Sequence, residues 1–459
     1  MTNSTTPQSV LFPDLFDKPL VVVFDQEHSS SDGGAVLLKA ADKRLGLTDS
    51  LAACLRDERQ TGKIDHEALE LFRQRVYGIA CGYADCNDAA RLAHDPVHKL
   101  LIDRDPLDGD ALASQSTLSR FENSVGPLTL YRMGKALFET VIETHRKRLG
   151  SRKVRRIVID LDPTDDPTHG GQQLSFFNGY YDTWCYLPML GFISFDDEPD
   201  QYLFAAIRLP GNASATLGAV GLLRRAIERL IEEFPEARIL VRLDGGFACP
   251  EIFELLEALP GVDYVAAMAS NKVLNRLAEP LMKTARRLSK RTDRTEHVYG
   301  ECRYAAGTWS RERRVIIKAE VVRHEGKEPK DNPRFVVTNL RRAPRPVYEK
   351  VYCERGDVEN RIKELKDGLE IDRTSCTRFW ANQFRVLMTA AAYVLMQQLR
   401  LRAARTSCAR AQVRTLRERL LKLGAHMVVS VRRLVIHFPA SYPFGDTWQV
   451  LACALGART

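Results

Sequence analysis

Hydrophobic residues follow two different periods along this chain, and the change falls near residue 150. Leu69, Phe72, Val76 and Ile79 recur at helical spacing, after a short apolar run at residues 20–24 that predicts one opening strand. Residues 1–150 are therefore predicted to be mostly helical.

Beyond residue 155 the apolar residues form continuous runs, which predict buried strands. Two segments with helical spacing, residues 217–234 and 251–259, separate the later runs. Three strands followed by helix, strand, helix and strand predict a mixed α/β sheet flanked by helices. The strand-forming runs are residues 157–159, 186–195, 202–209, 239–243 and 264–267.

This alternation is interrupted between residues 271 and 347. Short strand-forming runs at residues 315–317 and 335–337 lie there among many Arg and Lys residues. Two long helical patterns follow, at residues 347–368 and 379–401, so the last part of the chain is predicted to be helical.

The composition is that of an ordinary globular protein. The 459 residues are 44% hydrophobic and 27% charged, which allows several domains and excludes a disordered or fibrous chain. The longest apolar run, residues 387–396, is too short to span a bilayer, and residues 1–16 lack the features of a signal peptide. The ten cysteines form no Cys-x-x-Cys pair, so we expect buried thiols in a reducing cytoplasm and no zinc site.

Two of the predicted strands end in an aspartate, Asp162 and Asp244. Because strand ends line the ligand crevice of such a sheet, the two carboxylates are expected to converge and to bind a divalent cation. Asp160 shares a strand face with Asp162, and the hydroxyl of Thr164 favours Asp162 of the two. The alternative is that the acids cap loops or pair with Arg242.

A second group of polar residues lies on the helix predicted near residue 350. Tyr352, Arg355, Glu359 and Lys366 project within a narrow sector of about 60° at 100° per residue. A carboxylate flanked by cations suits a third metal ligand with neighbours that hold phosphate oxygens. A solvated charged surface is the alternative.

Together these residues resemble the DDE transposases of bacterial insertion sequences, in the branch with a Tyr-(2)-Arg-(3)-Glu-(6)-Lys signature. Tyr352, Arg355, Glu359 and Lys366 meet that signature in full. Within the branch the chain is most similar to the insertion-sequence family numbered 1380. The further supporting segments are residues 112–120, 160–164, 168–172, 178–182 and 242–248.

The resemblance implies an RNase H-like catalytic domain in which Asp162, Asp244 and Glu359 hold two Mg²⁺ ions, with Mn²⁺ expected to substitute. Tyr352, Arg355 and Lys366 would contact the phosphates of the transposon end. The implied regions are a mostly helical DNA-binding region (1–150), the first part of the catalytic core (151–270), a β-rich insertion (271–347), the helix bearing the glutamate (348–375) and a basic helical C-terminal region (376–459).

Two further DNA contacts are candidates. Relatives with this signature often form a DNA hairpin and hold a flipped base against an aromatic ring, and Trp309 is a candidate for that ring. A core tryptophan in a β-rich subdomain is the alternative. Arg120 lies on a polar helix predicted after the hydroxyl-rich residues 114–117, which could enter a DNA groove or remain a surface helix.

The placement of charge supports a nucleic-acid partner. The formal net charge is only +8, but residues 373–433 hold 13 Lys or Arg against one acid, and residues 283–318 hold 11 against four. Local surpluses of this kind are typical of DNA-binding surfaces. For the C-terminal run the alternative is a packed amphipathic helix, because Leu416, Leu420 and Leu423 alternate with its cations.

The sequence therefore predicts a cytoplasmic, nucleoid-associated transposase that binds double-stranded DNA, without a membrane, as a homodimer in the synaptic complex. A metal-dependent nuclease of the same fold that cleaves without joining is one alternative. A non-catalytic DNA-binding regulator is another. A glycosidase is disfavoured, because no aromatic-rich sugar cleft is evident and the basic surplus has no role there.

Overall fold

The computed structural model describes residues 10–458. The predictions for residues 1–9, which belong to the segment expected not to be a signal peptide, lie outside the described residues. Within the described part of the chain, no helix is both long and apolar enough to cross a membrane.

Helices dominate the first 150 residues, as the apolar spacing predicts. The predicted apolar stripe lies on the helix at Ala68–Ala80, α3. Near the start of the chain, a two-stranded hairpin of β1 (Val10–Phe12) and β2 (Leu20–Val22) precedes a short strand, β3 (Ser29–Ser30). The helices are α1 (Val36–Leu45), α2 (Leu47–Ala52), α3 (Ala68–Ala80), α4 (Cys86–Arg91), α5 (Pro96–Leu101), α6 (Gln115–Asn123) and α7 (Pro127–Leu149).

The centre of the molecule is a large mixed sheet. Its strands are β4 (Arg156–Pro163), β5 (Asp166–Pro167), β6 (Phe176–Asn178), β7 (Thr183–Phe195), β8 (Tyr202–Leu209), β9 (Arg238–Leu243) and β10 (Val262–Met268). Two helices, α8 (Ala219–Glu233) and α9 (Pro250–Ala258), connect the later strands.

Five of these strands lie in the order β8-β7-β4-β9-β10. β4, β9 and β10 are parallel to one another, whereas β7 is antiparallel to both of its neighbours. In chain order this is a 3-2-1-4-5 sheet with an antiparallel second strand, the arrangement of an RNase H-like fold. The predicted fold class is confirmed.

Residues 271–347 extend this sheet beyond β10. They form α10 (Lys272–Thr292), β11 (Glu296–Tyr304), β12 (Arg313–Val322), β13 (Lys330–Asp331) and β14 (Arg334–Thr338). β14 pairs with β10, and β12 lies between β14 and β11. The 21-residue α10 was not predicted. Its apolar side is a narrow stripe of small and medium side chains, and the many charged residues between them obscure the helical period in the sequence.

The two faces of the sheet carry different helices. On one face Val158, Leu240 and Val265 pack against the helical residues Val347 and Val351. The other face belongs to the main hydrophobic core, which includes the buried side of α10 and the helices α8 and α9. Side chains of alternate residues along each strand therefore separate the two layers.

After residue 375 the chain covers the edge of the sheet with α13 (Phe379–Arg402), which is buried along nearly its whole length. The Gln397 side chain accepts from Leu203 N–H at 3.2 Å and donates to the Gln201 carbonyl at 2.7 Å. Gln383 pairs in the same way with Arg208 N–H and the Ala206 carbonyl. Two glutamine side chains thus satisfy the backbone of β8 where a further strand would otherwise be needed.

The C-terminal region is not entirely helical as predicted. It contains a hairpin of β15 (Ala425–Ser430) and β16 (Arg433–His437), which pairs with β3, beside the short helices α14 (Val413–Leu416) and α15 (Gly445–Ala454). The strand pattern was hidden because its alternating residues are mostly exposed.

Fewer cations of the basic run at residues 373–433 face solvent than its charge suggests. Arg385 and Arg400 are buried, and Arg400 pairs with Glu364 at 2.6 Å and Asp200 at 3.0 Å. Leu416 and Leu420 are fully buried, as expected for the alternative of a packed helix. Part of this positive charge therefore stabilises the core instead of facing DNA.

The cysteine prediction is partly wrong. All ten cysteines are free thiols, but Cys353 and Cys453 are exposed and only four are buried. The two exposed residues lie on short helical segments that turn them toward solvent.

We expect Gln397→Leu to lower the free energy of unfolding by about 2–4 kcal/mol, because Leu203 N–H and the Gln201 carbonyl lose their partner while remaining buried. Urea denaturation measures the change. Gln449→Leu on the exposed face of α15 is the matched control. An equal, small effect of both substitutions would contradict the role given to Gln397.

Candidate active site

Asp162 and Asp244 lie opposite each other on neighbouring parallel strands. The register of β4 and β9 pairs Asp160 with Arg242 and Leu161 with Leu243, so Asp162 and Asp244 occupy the next opposing positions. Neighbouring strands are about 4.8 Å apart, and directly opposed side chains share a face. The structure thus brings the two predicted strand-end acids together.

Arg242 distinguishes Asp160 from Asp162. Its guanidinium donates to both carboxylate oxygens of Asp160, at 2.8 and 2.7 Å, and both residues are buried. Asp160 is therefore neutralised inside the sheet. Asp162, two residues later and on the same face, has no contact with Arg242 and remains available at the end of the strand.

The glutamate lies on an irregular helical segment that crosses the same face of the sheet. The segment starts with α11 (Pro344–Val347), continues as a π-helical turn (Tyr348–Tyr352) and a 3₁₀ turn (Cys353–Arg355), and ends as α12 (Gly356–Leu369). The prediction that the helix turns by a uniform 100° per residue from Tyr352 to Lys366 was therefore wrong. π-helical turns are frequent at functional sites, where they re-aim the side chains that follow.

Arg355 links the glutamate helix to the strand acids. Its Nη2 donates to Asp162 Oδ1 at 2.6 Å, and its Nη1 lies 4.0 Å from Glu359 Oε1. Asp162 is nearly buried, whereas Glu359 is 57% exposed. Three acids distant in sequence thus surround one guanidinium.

The cluster is short of positive charge. Burial raises the pKa of Asp162 to about 7; Arg355 opposes this rise, and the carboxylates of Asp244 and Glu359 add to it. Burial also raises the pKa of Asp244, again against the influence of Arg355. Carboxylates held in this way bind an additional cation favourably.

The donor set fits divalent metal ions such as Mg²⁺, which prefer oxygen ligands. The three carboxylates are spread too widely to touch one ion as they stand. Among residues 10–458, the one group of three potential ligands with atoms all within 4.8 Å is Asp32, Cys81 and His98. Of the three, Glu359 is the exposed member, so its side chain is the freest to change rotamer toward the strand acids.

Lys366 and Tyr352 make different kinds of contact: Lys366 forms an ion pair, and Tyr352 packs against another aromatic ring. Lys366 Nζ pairs with Asp165 Oδ1 at 2.8 Å, next to the end of β4. Tyr352 packs against Tyr348 at a ring distance of 5.5 Å, and burial raises the pKa of its phenol. Both side chains border the acid cluster, and Lys366 offers a cation at its rim.

Sequence reasoning missed two groups near the site. The Tyr181 phenol has a raised pKa, first because of burial and then because Asp165, Asp162 and Asp244 lie nearby. Asp166 is buried and pairs with Arg208 at 3.0 Å. The only sequence signal for Tyr181 was its place in the motif at residues 178–182.

The close group of Asp32, Cys81 and His98 was also absent from the sequence predictions. His98 Nε2 lies 2.9 Å from Asp32 Oδ2, and Lys422 Nζ lies 2.7 Å from Asp32 Oδ1. Because Lys422 already neutralises the carboxylate, this group is a buried charge network that ties the helical N-terminal part to the C-terminal region just before the hairpin.

The two remaining candidates lie away from the acids. Trp309 packs edge-on against Phe253 and Tyr304 at 5.3 and 5.5 Å, with Arg313 over its ring at 5.1 Å. This arrangement favours the alternative of a packed tryptophan. Arg120 is exposed on α6, where its nearest partner is Thr117 Oγ1 at 3.4 Å.

The chain matches a known protein family over nearly its whole length. A family profile described as "Transposase DDE domain group 1" matches residues 12–456. The chain belongs to this transposase family. Members are typically dependent on divalent metal ions, in agreement with the carboxylate site of this transposase domain.

Other comparisons add less. Curated protein sequences give no match. Among solved structures, the chain is similar to a piggyBac transposase in a synaptic complex with hairpin DNA, with 11% identity and a TM-score of 0.39 over 80% of this chain and 75% of the other. That similarity is too low to transfer any residue or activity to the present transposase.

We expect the affinity of Mn²⁺ for the transposase to rise with pH up to about 7 and then to level off. A carboxyl group binds metal only when it is deprotonated, and Asp162 has a pKa of about 7. Calorimetric titration at several pH values measures this. Asp162→Asn should weaken Mn²⁺ binding and reduce its dependence on pH, with Asp244 as the remaining titrating ligand, whereas Asp367→Asn, at an exposed position of α12, should retain the wild-type profile. A flat profile for the wild type would contradict the assignment.

Proposed function

We propose that this protein binds the terminal inverted repeats of an insertion sequence, cleaves the DNA strands there and joins the element to target DNA. The observation that carries the proposal is the opposition of Asp162 and Asp244 at the ends of parallel strands, with Arg355 and Glu359 directly beside them. The Tyr-Arg-Glu-Lys signature supports the branch of DDE transposases that carries it, and the segments at residues 160–164, 168–172, 178–182 and 242–248 support a place in the insertion-sequence family numbered 1380.

Asp162, Asp244 and Glu359 are the residues that would hold two Mg²⁺ ions. Bound there, the ions would supply Lewis acidity that activates water or a 3′-hydroxyl and stabilises the leaving oxygen. Cleavage and joining are then the same in-line displacement at phosphorus with different nucleophiles.

The cations of the site have separable roles in this proposal. Arg355 pairs with Asp162 and lies near Glu359, and its planar guanidinium would be placed to contact a DNA phosphate beside the carboxylates. Lys366 at the rim can hold a neighbouring phosphate. Tyr352, packed on Tyr348, would set the position of the strand beside Arg355.

We further propose that residues 1–150 bind DNA, with the exposed Arg120 face of α6 as one contact, and that residues 271–347 are an insertion in a catalytic core formed by residues 151–270 and 348–375. Two transposon ends would be held by a homodimer, acting at the nucleoid in the cytoplasm. The basic C-terminal region, 376–459, contributes both core packing and surface charge.

A nuclease that cleaves without joining remains the rival, since the same carboxylates would serve it. A pre-cleaved transposon end with a free 3′-hydroxyl, supplied with a target plasmid and Mg²⁺, separates the two activities. Joined product is expected. Cleavage of plasmid without any joined product would support the nuclease instead.

We expect Glu359→Gln to bind transposon-end DNA with unchanged affinity and to lose at least about 100-fold in cleavage rate, because the amide removes one metal-binding charge. Gel-shift and strand-cleavage assays measure the two properties. Asp367→Asn, on the exposed side of the same helix, is the matched control and should cleave normally. Normal cleavage by Glu359→Gln would remove this residue from the active site.

A further inference from the structure

The helix α10 presents a row of exposed cations on its solvent side. Arg276, Lys283, Arg287 and Lys290 are all exposed and project within a sector of about 60° at 100° per residue. The opposite side of the helix, which includes Ala278, Met282 and Ala285, is buried against the sheet. We call these four cations the α10 stripe.

Among the described residues, the four cations of the α10 stripe have no acidic partners, unlike Arg286 of the same helix. In the described part of the chain, no carboxylate oxygen lies within 4.0 Å of any of its four charged groups. Arg286, which projects about 40° from Lys290 on the helix, pairs with Glu279 at 2.7 Å and with Asp331 at 2.6 Å. The stripe therefore lies beside a neutralised cation but forms no ion pair of its own with any residue from 10 to 458.

The dimensions of the stripe suit a DNA backbone. Arg276 and Lys290 are 14 residues apart, or about 21 Å along a helix that rises 1.5 Å per residue. A DNA strand carries one phosphate per 3.4 Å of duplex axis, so the stripe extends over about six base-pair steps. A row of long, flexible cations at this scale favours phosphate contacts over recognition of bases.

The position of α10 relates the stripe to the active site. β12 runs in the same direction as β4, β9 and β10, because it is antiparallel to β14, which is itself antiparallel to β10. Its last residue paired with β14 is Lys318, whereas the strand continues to Val322, about 13 Å farther. The insertion therefore projects beyond the edge of the sheet at which Asp162 and Asp244 lie.

The end of α10 accompanies this projection. Arg323, directly after β12, donates to Ser289 Oγ in the last turn of the helix at 2.9 Å. At the start of the helix, Asn271 contacts the Tyr304 hydroxyl at 3.1 Å, near the opposite end of β12. The stripe thus runs toward the catalytic edge, on the face of the sheet opposite the glutamate helix.

We propose that the α10 stripe is a binding site for the phosphate backbone of duplex DNA. The stripe would hold the part of the duplex that leads to the acid cluster. This inference rests on the proposed function for its biological role. It assigns a share of the affinity for the DNA backbone to Arg276, Lys283, Arg287 and Lys290, which lie outside the catalytic residues and contribute no sequence preference.

The test measures binding of the full-length protein to a short duplex of arbitrary sequence at several salt concentrations. The variant replaces all four stripe residues with alanine, which is compatible with a helix surface. Each lost phosphate contact lowers the slope of log K against log salt by about 0.9, so a reduction of about 3 to 4 is expected. Arg286→Ala removes a cation of the same helix that is already paired, and it should leave the slope unchanged.

A second variant separates charge from packing. With lysine in place of Arg276 and Arg287, the positive charges remain and the wild-type slope is expected. Circular dichroism verifies that each variant is folded. An unchanged slope in the folded alanine variant would overturn the proposal, as would an equal loss in Arg286→Ala.

The outcomes also distinguish this inference from the proposed function. If the wild type performs Mg²⁺-dependent cleavage and joining but the alanine variant binds duplex DNA normally, the stripe is a solvated surface and the proposed function stands. If the alanine variant loses its salt slope but the wild type neither cleaves nor joins DNA, the stripe stands and the proposed transposase activity fails.

Discussion

The active site depends on one buried guanidinium, that of Arg242. It neutralises Asp160 on the neighbouring strand, lies 3.5 Å from the Val351 carbonyl of the π-helical turn and lies 3.6 Å from Glu354. Without a cation there, a buried carboxylate in the middle of the sheet would carry a large desolvation penalty. One side chain thereby fixes two strands and the glutamate segment relative to one another. The relative positions of the acids beyond it follow from these contacts.

Much of this geometry was predictable because continuous apolar runs identify buried parallel strands and the period of two identifies their faces. Asp162 and Asp244 follow directly from that rule. The choice between Asp160 and Asp162 required the pairing register, which the sequence does not contain. Tyr352 does not share the regular helical phase of Arg355 and Glu359, because a 3₁₀ turn separates it from α12 and the π-helical turn before that depends on tertiary contacts of Val347 and Val351 with the sheet.

Charge counts along the chain were a weaker guide than burial. Both basic segments have a surplus of cations, yet Arg385 and Arg400 belong to the core, whereas four cations of α10 face solvent without partners. The sequence hides this difference, since the acids that neutralise Arg400 are Glu364 and Asp200, 36 and 200 residues away. Only the fold assigns each cation to its partner.

The glutamine side chains that pair with β8 have a consequence for the behaviour of the protein in solution. An uncovered strand at the end of a sheet is a template on which another polypeptide can add, and this is a common route to aggregation. Gln383 and Gln397 occupy the hydrogen-bonding groups that such an addition would use. Copies of the protein gathered at high local density are thereby protected against strand addition at the β8 edge, so this edge takes no part in any assembly they form.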